Sequence, residues 1–393
     1  MNVCILTWEY PPRIIGGVAR HCKSLAKSLG KNGWQPNVIT LAHPGAPRYA
    51  ESEGVKVTRI DPPNYSDFLT WTLLYNQMMT NMAISLHRKE RFDLIHAHDW
   101  MTFIAASTIK HALGIPMVAT FHSTERGRRG GLPTSFERMI NDIEWLGSYE
   151  AKHVIAVSNA TKQELTGKLN VPEEKSNVVH NGMDFERVTA VDGVRSKFVS
   201  PGERIVLFVG RLVWEKGVSN LVDAAPLILK EHSEAKFVIV GEGGMQEQLR
   251  SRARDLGISH KIYITGYLTD EILRSLYQCA DVLVVPSLYE PFGFTALEGM
   301  VCGLPVVAAR VGGLNEIITG GKDGLLVPPG DASSIAAAVN RLLSDSKLAE
   351  MISRNGELRA KSFTSGRMAV ETIKVYEKAM GIRPIVKMTT RRN

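Results

Sequence analysis

Two glutamates, Glu290 and Glu298, stand in the run Pro286-Ser287-Leu288-Tyr289-Glu290-Pro291-Phe292-Gly293-Phe294-Thr295-Ala296-Leu297-Glu298. The apolar residues from Asp281 to Val285 predict a strand that ends at Pro286. Pro291 and Gly293 then force an irregular loop. A helix is predicted from near Phe294 through Glu298 and Met300. The unpaired N–H groups of its first turn are suited to a diphosphate. Glu290 in the loop and Glu298 about one turn inside the helix would enter one site from different depths. Alternatively, Glu298 serves only as a partner for the helix dipole and Glu290 only as a turn residue. The loop Gly210-Arg211-Leu212-Val213-Trp214-Glu215-Lys216-Gly217 favours the chemical reading. It ends the opening strand of the same half, Arg204 to Val209, near the same sheet edge. Arg211 and Lys216 beside a helix N-terminus make a diphosphate clamp that needs no metal.

In the first half, Ile95-His96-Ala97-His98-Asp99-Trp100 and Phe121-His122-Ser123-Thr124 each follow a strand. They place His98, Asp99 and His122 at one edge. Histidines at strand ends can ligate a metal, but the spacing implies no third ligand. Contact with a sugar or phosphate, or a satisfied core histidine, is the better reading. Gly16-Gly17 follows the first strand and opens a helix. It suits a phosphate or sugar, and a tight turn would explain it equally well. Gly241-Glu242-Gly243-Gly244 lacks the third glycine of a dinucleotide fingerprint, and the chain has no P-loop. Arg126-Gly127-Arg128-Arg129-Gly130-Gly131 reads as a basic, flexible loop that either meets an anionic substrate or is solvated.

These residues need two sheets to hold them. In the first half, Val3 to Trp8 and Asn37 to Leu41 read as strands, followed by Phe92 to Ala97, Pro116 to Phe121 and His153 to Val157. Helical spacing of Val18, Cys22, Leu25 and Leu29 separates the first two. The second half repeats the plan from Arg204, with strands at Lys236 to Val240, Ile262 to Thr265, Asp281 to Val285, Pro305 to Ala308 and Gly324 to Val327. Alternation of this kind implies parallel sheets with right-handed crossovers, and ligands outside the C-terminal strand ends. The expected fold class is α/β, with two doubly wound Rossmann-like domains facing across a cleft. The expected ranges are 1–190, 203–361, a late helix at 362–381 that crosses back, and a flexible basic tail at 382–393.

The composition fits this plan. The chain has 393 residues, 44% of them apolar and 22% charged, a size for two cores. Disorder is therefore excluded. The four cysteines form no C-x-x-C pair, which argues against a disulfide framework or a structural zinc site. The net charge of +7 comes from interleaved cations and anions. No aromatic–basic motif points to nucleic acid, which is not expected as a partner. No signal peptide or transmembrane segment is expected, and the cytoplasm is the expected compartment.

Taken in order, the motifs resemble those of retaining glycosyltransferases of the GT-B fold, in glycosyltransferase family 4, and especially its glycogen and starch synthase-like members. The resemblance runs from Trp8-Glu9-Tyr10-Pro11-Pro12 to about Tyr376. It rests on the Glu290–Glu298 stretch followed by Gly303-Leu304-Pro305-Val306-Val307 and Gly312-Gly313, on the Arg211–Lys216 loop, and on Val178-Val179-His180-Asn181-Gly182-Met183-Asp184. It implies transfer of a hexosyl group, glucosyl first, from a nucleotide diphosphate sugar to a sugar or glucan hydroxyl. Arg211 and Lys216 would hold the diphosphate, with the N–H groups of Phe294 and Thr295. Glu298 would bond the ribose, and Glu290 would face the reacting sugar. Gly17 would lie near the phosphates or sugar, and His122 would hydrogen-bond the sugar. The stretch from His122 to Arg128 resembles an acceptor-side loop, which makes Arg126, Arg128 and Arg129 acceptor candidates. No cofactor or metal is required on this reading. Ile14 stands where bacterial ADP-glucose glycogen synthases carry the lysine of K-x-G-G, so the donor base stays open. The rival readings are a mannosyl donor, a sugar-phosphate acceptor and a nucleotide-sugar 2-epimerase. Oligomeric state is not readable.

Overall fold

The computed structural model describes residues 1–184 and 191–382. The chain divides into two compact units, Met1–Asp184 with Thr364–Asn393, and Phe185–Phe363. The domain end expected at 190, and the basic tail from 383 onward, lie outside the described residues.

In the described part of the first unit, eight strands form one sheet: β1 (Asn2–Leu6), β2 (Gln35–Leu41), β3 (Tyr49–Ser52), β4 (Val55–Ile60), β5 (Leu94–His98), β6 (Met117–Phe121), β7 (His153–Ala156) and β8 (Ser176–Val178), in the order β3-β4-β2-β1-β5-β6-β7-β8. All neighbours are parallel except β3 and β4. The crossovers use α1 (Gly17–Lys31), α2 (Phe68–Glu90), α3 (Trp100–Leu113), α4 (Glu125–Arg129), α5 (Ser135–Glu150) and α6 (Asn159–Lys168). Strand alternation decides which face each side chain serves. Val3 and Ile5 of β1 pack with Cys22, Leu25 and Leu29 of α1 and with Met368, Val375 and Tyr376. Cys4 and Leu6 pack on the opposite face with Tyr75, Met79 and Phe103. The late helix is Ser365–Met380 and belongs to this unit. Its Tyr376 hydroxyl lies 2.7 Å from His96 Nδ1, deep under β5.

Three findings differ from the sequence reading. Strand β8, three residues at the sheet edge, was not anticipated. The antiparallel β3–β4 hairpin was not anticipated, and its turn at Glu53-Gly54 has positive φ at both residues. The basic segment expected as a flexible loop is the short helix α4. Thr124 caps it by accepting from the Gly127 N–H, and Gly130 closes it in the left-handed conformation.

In the described part of the second unit, six strands form one parallel sheet: β9 (Arg204–Val209), β10 (Ala235–Val240), β11 (Ile262–Gly266), β12 (Val282–Val285), β13 (Val306–Ala309) and β14 (Leu325–Val327), ordered β11-β10-β9-β12-β13-β14. Its inner strands β9, β10, β12 and β13 are almost wholly buried, as a sheet covered on both faces requires, whereas the edge strand β11 is partly exposed. Its connections include α7 (Val218–Glu231), α8 (Gln246–Asp255), α9 (Asp270–Cys279) and α10 (Phe294–Val301). Both sheets are doubly wound, as expected. Strand order reverses between β9 and β12 in the second unit and at β1 and β5 in the first. Loops at such reversals splay apart and leave a crevice at the C-terminal strand ends.

Candidate active site

The reversal in the second unit brings together the loops after β9 and β12. The carbonyl of Glu215 accepts from the backbone N–H groups of Leu288 and Tyr289, at 2.9 and 3.1 Å. Gly217 makes this approach possible. It sits at φ +63°, and a Cβ there would lie 2.0 Å from the Pro286 carbonyl oxygen. Gly312, after β13, presses on the Glu290 carbonyl from the other side at φ +48°.

The two expected clamp cations have different partners. Lys216 Nζ lies 2.7 Å from Glu290 Oε2, which also accepts from Ser287 Oγ at 3.1 Å. Glu290 is 8% exposed, so this charge pair is largely withdrawn from water. Arg211 is exposed and donates to Glu215 Oε1 at 3.1 Å, a pair worth little in solvent. Phe294 and Thr295 open α10, whose N-cap is Gly293 at φ +119° with no side-chain cap bond. Glu298 lies one turn on and accepts from the Tyr277 hydroxyl of α9 at 2.9 Å. Thus Lys216, Glu290, Phe294 and Thr295 surround one sheet edge. Sequence reading missed Ser287 and Tyr277. Ser287 lies inside the quoted motif, whereas nothing in the sequence ties Tyr277 to Glu298.

The first unit gathers histidines from separate elements. His98 Nδ1 and His122 Nε2 are 3.1 Å apart, and His21 of α1 packs edge-on to His122. His21 Nδ1 meets Asn181 Oδ1 at 2.7 Å. Burial holds all three imidazoles below their usual range, with His21 at about 4, so they are neutral at pH 7. One ring nitrogen from each lies within 4.8 Å of the others. The sequence spacing implied no third ligand; the fold supplies His21 as one. Neutral imidazoles so grouped are competent to ligate a metal or to meet hydroxyls.

Asp99 holds the His122 loop, accepting from the His122 N–H at 2.7 Å. It stands at φ +58° before α3, and burial raises its carboxyl to about 7. Glu144 of α5 is likewise raised by burial to about 8 and accepts from the Glu125 N–H at 2.8 Å. Arg128 donates to the buried Glu125, and Arg129 lies 3.4 Å from the same carboxylate. These two arginines therefore serve an internal acid cluster as counter-ions. Arg126 is exposed.

Gly17 opens α1 at the C-terminal edge, as expected. However, the Ile15 and Gly16 N–H groups are donated to Glu9 Oε2, at 2.7 and 3.0 Å. A buried carboxylate thus occupies part of the loop read as phosphate-binding, and any anion there would have to use amides beyond Gly16. Glu9 and His21 were not singled out from sequence, although Glu9 lies in the Trp8-Glu9-Tyr10-Pro11-Pro12 stretch just after β1. Among the described residues, no helix is long and apolar enough to cross a membrane.

Residues 194–359 match the family Glycosyl transferases group 1, and residues 15–187 match Glycosyltransferase Family 4. An uncharacterised glycosyltransferase of Methanocaldococcus jannaschii is 40% identical, over 97% of this chain and 99% of that one. The glycogen synthase of Mycobacterium tuberculosis is 32% identical, over 96% of this chain and 94% of that one. The solved sucrose-phosphate synthase from Thermosynechococcus elongatus has the same fold, with a TM-score of 0.85 at 24% identity, covering 97% of this chain and 99% of that one.

Proposed function

We propose that this chain, which belongs to glycosyltransferase family 4 as a glycogen and starch synthase-like member of GT-B fold, moves a hexosyl group from a nucleotide diphosphate sugar to a sugar or glucan hydroxyl, glucosyl first, with retention of anomeric configuration. The observation that carries this reading is the Lys216–Glu290 pair beside the N-terminus of α10, at the strand-order reversal of the second unit. A diphosphate leaving group gains negative charge as its bond to the sugar breaks. Lys216, Arg211 and the N–H groups of Phe294 and Thr295 stabilise that charge with groups already in place. Glu290 faces the sugar, whose ring becomes cationic at the same moment. Glu298, oriented by Tyr277, bonds the ribose. In the first unit, His122 and the backbone at Gly17 contact sugar hydroxyls. The cations do the work of a metal, so none is required.

Arg126 supports a second reading of the acceptor. It is exposed on α4, as Arg129 is, but unlike Arg129 it does not face the Glu125 carboxylate, and a sugar phosphate would suit it.

The test is a matrix of glucosyl and mannosyl nucleotide sugars against glucan, monosaccharide and sugar-phosphate acceptors, read as released nucleoside diphosphate. Release with a glucosyl donor and a glucan or sugar supports the proposal. A mannosyl donor or an obligate phosphorylated acceptor would select a rival transferase. Conversion of the donor to an epimer with its diphosphate intact would overturn transfer altogether.

A further inference from the structure

We propose that an aromatic platform on the first unit, built from Phe68, Trp71, Trp100 and Phe136, binds successive sugar rings of an oligosaccharide acceptor. The proposal rests on the transferase reading above and narrows its acceptor to a chain of sugars.

Phe68 is the hub. Its ring centroid lies 5.9 Å from Trp71, 6.2 Å from Trp100 and 5.9 Å from Phe136. Phe68 and Phe136 remain 47% and 41% exposed, although each contacts other rings. The group is buttressed from below. Trp71 stacks at 4° on Tyr75, which is fully buried and donates its hydroxyl to the Thr7 carbonyl, just beyond β1. The rings are therefore held in place before any ligand arrives, which lowers the ordering cost of binding.

Position and chemistry select the occupant. Phe68, Trp100 and Phe136 stand at or next to the first residues of α2, α3 and α5. Trp100 directly follows Asp99, whose carboxylate holds the His122 N–H. Trp100 thus ties the platform to the loop that carries His122, the residue read as the sugar contact. A pyranose has an apolar C–H face and a rim of hydroxyls. Flat rings bury that C–H face and leave the rim in water, and their negative π faces attract the weakly positive C–H groups. A single sugar at His122 would leave Phe68 and Phe136 uncovered, whereas a chain of sugars would cover them.

The experiment compares glucose, maltose, maltotriose and maltoheptaose as acceptors in the wild type, a Phe68→Ala/Phe136→Ala variant and Phe68→Trp. Tryptophan fluorescence, reporting on Trp71 and Trp100, follows maltoheptaose binding without turnover. In the wild type, acceptor KM should fall by roughly tenfold or more between glucose and maltoheptaose. The double variant should flatten that dependence and weaken maltoheptaose binding, and Phe68→Trp should retain both. Equal length dependence in wild type and double variant would overturn the platform, as would binding of anionic phospholipid vesicles with no saccharide binding. If no donor is consumed with any acceptor, the transferase reading fails, while the fluorescence titration still decides the platform.

Discussion

Glu290 shares one carboxylate oxygen between Lys216 and Ser287, whereas Glu298 takes its bond from Tyr277. On the proposed reading the first pair would sit where charge changes during the reaction, and the second beside a part of the donor that does not react. Glu298→Gln keeps an acceptor for Tyr277 and should mainly raise donor KM, roughly tenfold for ~1.4 kcal/mol. Glu290→Gln should lower kcat by about a hundredfold, or ~2.7 kcal/mol of barrier. It also leaves the Lys216 charge without its anion and should lower Tm by a few degrees. Steady-state kinetics with calorimetry on both variants check this, and a loss of kcat confined to Glu298→Gln would reverse the two roles. In the first unit, Asp99 and Glu144 titrate at about 7 and 8 instead of their ordinary 3.8 and 4.5. They keep protons in the folded unit that the unfolded chain has already released. Their stabilisation is full below pH ~4 and is lost as pH rises through 7 to 8. His21 has the opposite sign, with stability full above 6.5 and lost as pH falls towards about 4. Raising pH from 6.5 to 8.5 should therefore lower Tm, and by less in Asp99→Asn/Glu144→Gln. Equal drops would contradict the assignment. The glutamates, cations and His122 were legible because each sits in a short motif beside a strand end. His21 and Glu144 were not, because only tertiary contacts bring them to the site. Glu9 was missed because its role depends on the loop folding back to place the Ile15 and Gly16 N–H groups on its carboxylate.

At the scale of elements, the second-unit site depends on loops that touch through glycine. Gly217→Ala would force a Cβ against the Pro286 carbonyl at a backbone angle unfavourable to alanine. It should destabilise the protein by about 2–4 kcal/mol and weaken nucleoside diphosphate binding. Denaturant unfolding and a binding titration test this; wild-type stability and affinity would show that the loops need not meet. The parallel strands were legible because burial on both faces makes them continuous apolar runs. The β3–β4 hairpin was not, since its first strand, Tyr49–Ser52, is largely exposed and short. Helix α4 escaped notice because arginine and glycine read as a loop, while its Thr124 cap and the Glu125 pairing with Arg128 hold one helical turn or so.

At the scale of the whole molecule, the repeated strand–helix plan made two doubly wound units legible. The attachment of Ser365–Met380 to the first unit rests on buried contacts such as His96 with Tyr376, which no local pattern encodes. On the proposed reading, Lys216 and Arg211 would carry the leaving-group charge. Activity should therefore persist in excess EDTA, and complete loss restored by magnesium or manganese would contradict that assignment. The most direct test of the central claim is proton NMR of the first product formed from an α-linked nucleotide diphosphate glucose and a saccharide acceptor. The account predicts a new α-glycosidic anomeric signal that grows in step with released nucleoside diphosphate. A β-linked product, or a donor changed without release of its diphosphate, would contradict it.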